Sequence, residues 1–253
     1  MGEALLGGVI NAGWAQASEI AVVEPVAERR AYLEAAFPGV LVADAAVAAD
    51  GAIIAVKPGY VVDAAAALAA AGVGRVLSIA AGVSTATIED ALAPATPVVR
   101  AMPNTPALVG AGAAAIAPGK AATDADVAWA ESILSAVGVV VRVPEEQLDA
   151  VTGLSGSGPA YVFLVAEAMI AAGDAVGLPH DVSERLAIQT IMGAGRMLSE
   201  SGQSPEDLRA AVSSPNGTTV AGLGVLDDRG VRDAFAAAIA RATERSRELG
   251  RGE

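Results

Sequence analysis

Apolar residues come in short bursts along the first half of the chain. The bursts are Ile20-Ala21-Val22-Val23, Ala52-Ile53-Ile54-Ala55-Val56, Val76-Leu77-Ser78-Ile79 and Val98-Val99-Arg100-Ala101. Short and largely apolar, they predict buried strands of a parallel sheet. The stretches Gly2 to Ala12, Glu28 to Phe37, Tyr60 to Ala71 and Thr85 to Leu92 read as helices. A further helix near Asp124 to Val137 and a strand at Val139 to Val143 continue the series. Such alternation predicts an α/β domain whose parallel sheet is covered by helices.

After Pro144 the bursts stop and a helical period takes over. Pro159 to Val176, Asp181 to Glu200, Pro205 to Val212, Thr218 to Leu226 and Val231 to Leu249 all have helical length. Pro179, Ser204-Pro205 and Pro215-Asn216-Gly217 separate them. The predicted organisation is therefore an α/β domain over 1–144 and an all-α domain over 145–253. Apolar helices in so small a domain keep faces that a second copy would cover, which predicts a homodimer at least.

One turn stands out for its chemistry. Ser213-Ser214-Pro215-Asn216-Gly217-Thr218-Thr219 sets four hydroxyls beside the start of a helix. Pro215 stiffens the turn, and Asn216 and Gly217 tolerate positive φ. Unpaired N–H groups at a helix start, with hydroxyls around them, suit a small anion such as a carboxylate. An ordinary Ser/Thr helix cap is the alternative reading.

Composition narrows the field. Hydrophobic residues make up 53% of the 253, aromatics 3%, so the cores are built from Ala, Val, Leu and Ile. There is no cysteine, which excludes disulfides, thiolate metal sites and a Cys nucleophile. The single histidine, His180, cannot build a His-based metal cluster and sits at a helix start, where a surface role is expected. A Ser-His-Asp hydrolase would need it, but no G-x-S-x-G elbow accompanies it. The net charge of -13 argues against nucleic acid and says little about a small anion. Mean hydropathy is +0.50. The most membrane-like run, Tyr161 to Ala172, is interrupted by Glu167, and Met1-Gly2-Glu3 lacks a basic signal region, so a cytoplasmic protein is expected.

The α/β half has the spacing of a Rossmann domain that begins late. In that fold a strand leads into a G-x-G-x-x-G turn and a helix, and an acidic residue about 20 positions on meets the ribose. Gly2 to Glu24 has this spacing if Gly2 is the last glycine of the fingerprint. The first strand and first two glycines are not in the sequence, which predicts two open ladder edges. A misplaced start, a fragment, or a short inactive protein would each account for it. Glu24 favours NAD through the ribose hydroxyls, whereas Arg29 and Arg30 either reverse that preference or are solvated helix charges. Ser155-Gly156-Ser157-Gly158-Pro159 lacks a P-loop lysine and a preceding strand, so it reads as the turn that starts a long helix.

With these features in order, the chain resembles the pyrroline-5-carboxylate reductases along essentially its whole length. The segments that carry the resemblance are Met1 to Leu6, Ala55-Val56-Lys57-Pro58, Ser78 to Val83 and Met102-Pro103-Asn104-Thr105-Pro106. Thr152 to Tyr161 and Ser213 to Leu223 are the most distinctive. Asn216 replaces the first glycine of the family's Pro-Gly-Gly-Thr-Thr run, and asparagine is the side chain best able to adopt the left-handed conformation.

The resemblance implies reduction of 1-pyrroline-5-carboxylate to L-proline by NADPH or NADH. It implies that Ser214, Gly217, Thr218 and Thr219 hold the substrate carboxylate, with the Thr219 hydroxyl near the ring nitrogen. Cofactor contacts fall on Gly2, Glu24, Ala55, Val56, Lys57, Pro58, Ala80, Ala81 and Asn104. Lys57 is alternatively a solvated strand-end cation, and Asn104 alternatively a turn former. The resemblance also implies homodimers that assemble into larger rings. Two rival readings remain at this point: a related reductase acting on another small imine or acid, and a non-catalytic paralogue that oligomerises through its helices.

Overall fold

The protein is described from a computed structural model covering residues 1–251. Contacts divide the chain into two units, Met1–Ser157 with the segment from Ala240 onward, and Gly158–Ile239.

The first unit opens with α1 (Gly2–Asn11), followed by β1 (Ala21–Val23), α2 (Ala27–Ala36) and β2 (Leu41–Ala43). β1 and β2 pair in parallel as a two-stranded sheet. A second sheet contains, in spatial order, β3 (Ala52–Ile54), β4 (Val76–Ser78), β5 (Val98–Met102), β6 (Gly112–Pro118) and β7 (Gly138–Arg142). α3 (Val61–Ala70), α4 (Thr85–Glu89) and α5 (Asp124–Ser135) lie between β3 and β4, β4 and β5, and β6 and β7 in the chain. Among the described residues the two sheets share no ladder, so β1 and β3 each keep an unpaired edge.

Two cores follow from the period of two along the strands. Leu77 and Val99 join Leu5 and Val9 of α1 and Ile133 and Leu134 of α5. Their neighbours Val76 and Val98 join Val61 and Ala65 of α3 and Ile88 of α4. Local signals agree with these helices: Ser84 caps α4 by accepting from the Thr87 amide, and Thr123 and Asp126 form a reciprocal capping box at α5.

The expectation of a wholly parallel sheet fails at β6, which runs antiparallel to β5 with Ala101 opposite Ile116. The connection from Pro103 to Ala111 is a short turn, and a parallel return needs a longer crossover. This strand and β2 escaped the reading of the bursts. β6 is mostly alanine and glycine, with weak strand preference, and β2 has only three residues.

α6 (Leu148–Val151) and a π-helical turn at Thr152–Gly156 belong to the first unit. Leu148 is fully buried with Ala115 and Ala117 of β6, which holds this segment on the sheet.

The second unit contains α7 (Gly158–Ala175), α8 (His180–Glu200), α9 (Pro205–Ala211), α10 (Thr218–Asp228) and the first part of α11 (Val231–Gly250). The closing turns of α11 belong to the first unit, where the Ser246 hydroxyl donates to Asp149 at 2.6 Å. The long helix predicted to start at Pro159 starts at Gly158, one residue earlier.

The second unit has almost no core of its own. α7, α9 and α10 contain no buried residue, and the buried positions of α8 are Ser183 and Ala187. Gly173 lets α7 approach α8 closely, since a Cβ there would lie 2.7 Å from the Ser183 hydroxyl. Phe163 and Leu164 stand 61% and 64% exposed. The helical run 145–175 is long and apolar enough to cross a membrane by length and composition, and none of its apolar window is buried within the chain.

Candidate functional site

Three loops at the carboxyl ends of strands make up the site in the first unit, where open parallel sheets bind ligands. After β3, residues Ala55 to Pro58 are exposed. Gly2 comes so close to them that a Cβ there would lie 3.0 Å from the Ala55 Cβ. The start of α1 carries no side-chain cap, so its first amides are not spent on a side chain. Lys57 forms no ion pair among the described residues and is exposed at the same edge. A glycine pressed against a strand end, free helix amides and a cation fit the pyrophosphate part of a dinucleotide.

After β4, Ala80 is buried and Ala81 half-buried, and the Ala80 amide donates to the Ser78 hydroxyl at 3.4 Å. Gly82 takes φ +75° and leans on the end of α11, where a Cβ on it would meet the Gly250 nitrogen at 3.3 Å. A cleft of about 190 Å³ opens beside this loop, lined by Ala81, Gly82, Thr152, Ser157 and Ser246 among others.

At the end of β1 the structure separates residues that the sequence left together. Glu24 turns back and accepts from the Val26 amide at 3.0 Å. Arg30 donates to the Glu24 and Pro25 carbonyls at 2.9 and 2.8 Å, which holds its cation over this strand end. Arg29 points elsewhere: it pairs with Glu3 of α1 and stacks on Tyr32 at 4.5 Å. Hydrogen bonds from Tyr32 and then Arg29 keep the Glu3 carboxyl below its ordinary range. Arg29 is therefore committed to joining α1 and α2, and neither arginine is a merely solvated helix charge.

Asn104 is the clearest case of an expectation altered by packing. It is buried, and both ends of its amide are used within the protein. Its Oδ1 accepts from the Ala113 amide at 2.8 Å and its Nδ2 donates to the Ser155 carbonyl at 3.1 Å. It braces the turn after β5, as the alternative reading has it, and holds that turn to the π-helical segment.

A second brace had no signal in the sequence. Glu145 accepts from the Thr85 amide and hydroxyl at 2.7 and 2.5 Å and from Arg100 at 3.1 Å. Burial would raise its carboxyl, but the hydrogen bonds from Thr85 and the Arg100 guanidinium outweigh that and hold it low. Neighbours 60 and 45 positions apart leave no local pattern to read.

In the second unit, the hydroxyl turn has the expected shape. Asn216 takes φ +59°. α10 follows from Gly217 with no side-chain cap, which sets aside the reading of an ordinary Ser/Thr cap. Ser213 donates back to the Arg209 carbonyl at 2.6 Å, so it is spent on the end of α9. Ser214 and Thr218 are exposed and Thr219 is half-buried. The Ser214 hydroxyl lies against Gly217, where a Cβ would come within 2.5 Å of it. Free amides at the start of an eleven-residue helix, with hydroxyls beside them, can receive a carboxylate.

His180 lies at the α8 start, exposed and 2.8 Å from Asp174. That hydrogen bond raises the His180 pKa and lowers that of Asp174, a surface pair between two helices. Among the described residues no three His, Asp or Glu side chains converge as metal ligands.

An open α/β unit with free strand-end loops, followed by helices rich in unpaired apolar surface, defines a two-domain, dinucleotide-dependent oxidoreductase. Comparison with known proteins agrees. Residues 1–82 match a family described as NADP oxidoreductase, coenzyme F420-dependent, and residues 145–249 match pyrroline-5-carboxylate reductase dimerisation. The chain is 43% identical to pyrroline-5-carboxylate reductase of Synechocystis, over 99% of this chain and 95% of that one. The solved structure of a pyrroline-5-carboxylate reductase from Coxiella burnetii superposes with TM-score 0.91 at 36% identity, covering 98% of this chain and 94% of that one. The Plasmodium falciparum pyrroline carboxylate reductase, solved with NADP bound, gives TM-score 0.86 at 28% identity, with 99% and 94% covered. This chain belongs to the pyrroline-5-carboxylate reductase family.

Proposed function

We infer that this protein catalyses NAD(P)H-dependent reduction of 1-pyrroline-5-carboxylate to L-proline, the final step of proline biosynthesis. The observation that carries the reading is the end-to-end match to reductases of that name. The loops after β1, β3 and β4 would hold the cofactor, with Gly2, Ala55, Val56, Lys57 and Pro58 along the phosphates and Ala80 and Ala81 further on. Arg30 and Glu24 stand where the adenosine ribose would lie. Asn104 supports the turn after β5 rather than reaching outward.

When bound, the nicotinamide supplies a hydride to the imine carbon. The protein's own part is alignment, because a protonated imine is already a strong electrophile. Ser214 and the amides of Thr218 and Thr219 take the substrate carboxylate at the start of α10, with Gly217, whose own amide donates to the Ser214 carbonyl at 2.9 Å, shaping the turn. The Thr219 hydroxyl, which makes no hydrogen bond among the described residues, serves the ring nitrogen.

The purified 253-residue chain is expected to oxidise NADPH or NADH in the presence of pyrroline-5-carboxylate. A folded chain with no turnover on either nucleotide would contradict the assignment.

The exposed apolar surface of the helical unit supports a homo-oligomer, which we place in the cytoplasm with the biosynthetic step it serves. A family model for dimerisation spans 145–249, and a partner copy covers Phe163 and Leu164 better than solvent does. Light scattering behind a sizing column is expected to give a dimer or an even multiple of it, the latter indicating rings of dimers. A monomer at micromolar concentration would remove this part of the reading.

A further inference from the structure

We propose that Glu145 is a positioning residue for the cofactor, acting through Thr85 and Arg100 on the loop Ile79–Ser84. The proposal rests on the reading above that Ala80 and Ala81 touch the dinucleotide.

The loop leaves β4 at Ser78 and enters α4 at Thr85. Glu145 grips its far end with both carboxylate oxygens, Oε1 on the Thr85 amide and Oε2 on the Thr85 hydroxyl. Arg100, from the middle of β5 and nearly buried, supplies the counter-charge at Oε1. Glu145 begins a segment that also reaches the neighbouring loop, since the Ser155 carbonyl accepts from Asn104. One short stretch, 145–155, thus fixes the loops after both β4 and β5. Apolar packing of Ile88 with Val76 and Val98 holds α4 on the sheet without this carboxylate. Its loss is therefore felt in the placement of the loop more than in the fold.

The test compares Glu145→Gln, which keeps the shape but loses the charge, and Thr85→Val, which removes only the hydroxyl contact. NADPH and NADH affinities are read by nucleotide fluorescence, and KM is measured separately for cofactor and imine. Hydrogen exchange of residues 79–85 is followed in cofactor-free protein. Glu145→Gln is expected to raise cofactor Kd and KM about fivefold, leave the imine KM within twofold, and speed exchange at Thr85. Thr85→Val is expected to move the same quantities in the same direction by a smaller factor.

Unchanged exchange and affinity in both variants would overturn the proposal while leaving the functional reading intact. A parallel rise in both KM values with a lower urea midpoint would overturn it too, in favour of general loosening. A wild-type chain that binds neither nucleotide overturns the functional reading, and this proposal falls with it.

Discussion

Thr219→Val is expected to lower kcat/KM for the imine at least tenfold. The substitution keeps the branched shape and removes only the hydroxyl, so the fold gives no reason for a loss. Thr219 is half-buried in the first turn of α10, and its hydroxyl has no hydrogen-bond partner among the described residues. A threonine that merely capped the helix would be bonded to a backbone amide, and this one is not. One polar contact at a reacting centre is worth on the order of 1–3 kcal/mol in the transition state. Thr219→Ser keeps the hydroxyl and is expected to retain most of the activity. Steady-state rates at saturating NADPH, with melting temperatures alongside, decide the matter. An unchanged kcat/KM would remove Thr219 from the chemistry.

Gly138→Ala is expected to destabilise the first unit by about 3 kcal/mol or more, read as a lower urea midpoint. Gly138 opens β7 opposite Gly112 of β6. A Cβ there would lie 2.0 Å from the Gly112 carbonyl oxygen and 2.6 Å from its Cα. Neither strand can step aside. Gly112 is itself hemmed in, since a Cβ on it would sit 2.9 Å from the Val137 carbonyl oxygen and 3.0 Å from Ala107. β6 next to it is buried through Ala114, Ala115, Ile116 and Ala117. Gly72→Ala separates steric from dihedral cost, because Gly72 has φ +75° but nothing within 4 Å. That variant is expected to lose only about 1 kcal/mol. Equal losses in the two would mean that the Gly138 contact is relieved by a shift of β7.

Much of this was legible in the residues because the signals are local. Bursts such as Val76 to Ile79, apolar apart from Ser78, read as strands, since so short a run between turns is best covered on both faces inside a sheet. Asn216 was expected in the left-handed region on its chemistry alone, and it is there at φ +59°. The strand β6 was not legible, because Gly112 to Ala117 is alanine and glycine apart from Ile116 and earns its place by fitting between β5 and β7. Its antiparallel direction follows from the shortness of the turn that Asn104 braces.

The sequence by itself determined the α/β half, the helical half, the hydroxyl turn ahead of α10 and the absence of any cysteine or histidine cluster. Each of these is a matter of residue type and of period within a few positions. Only the tertiary structure decided that Asn104 faces inward, that Arg29 serves Glu3 while Arg30 guards the end of β1, and that Glu145 holds Thr85 and Arg100. Those are pairings between side chains far apart in the chain. Their partners are chosen by which strands and helices come to lie side by side, and no pattern within one element specifies that choice.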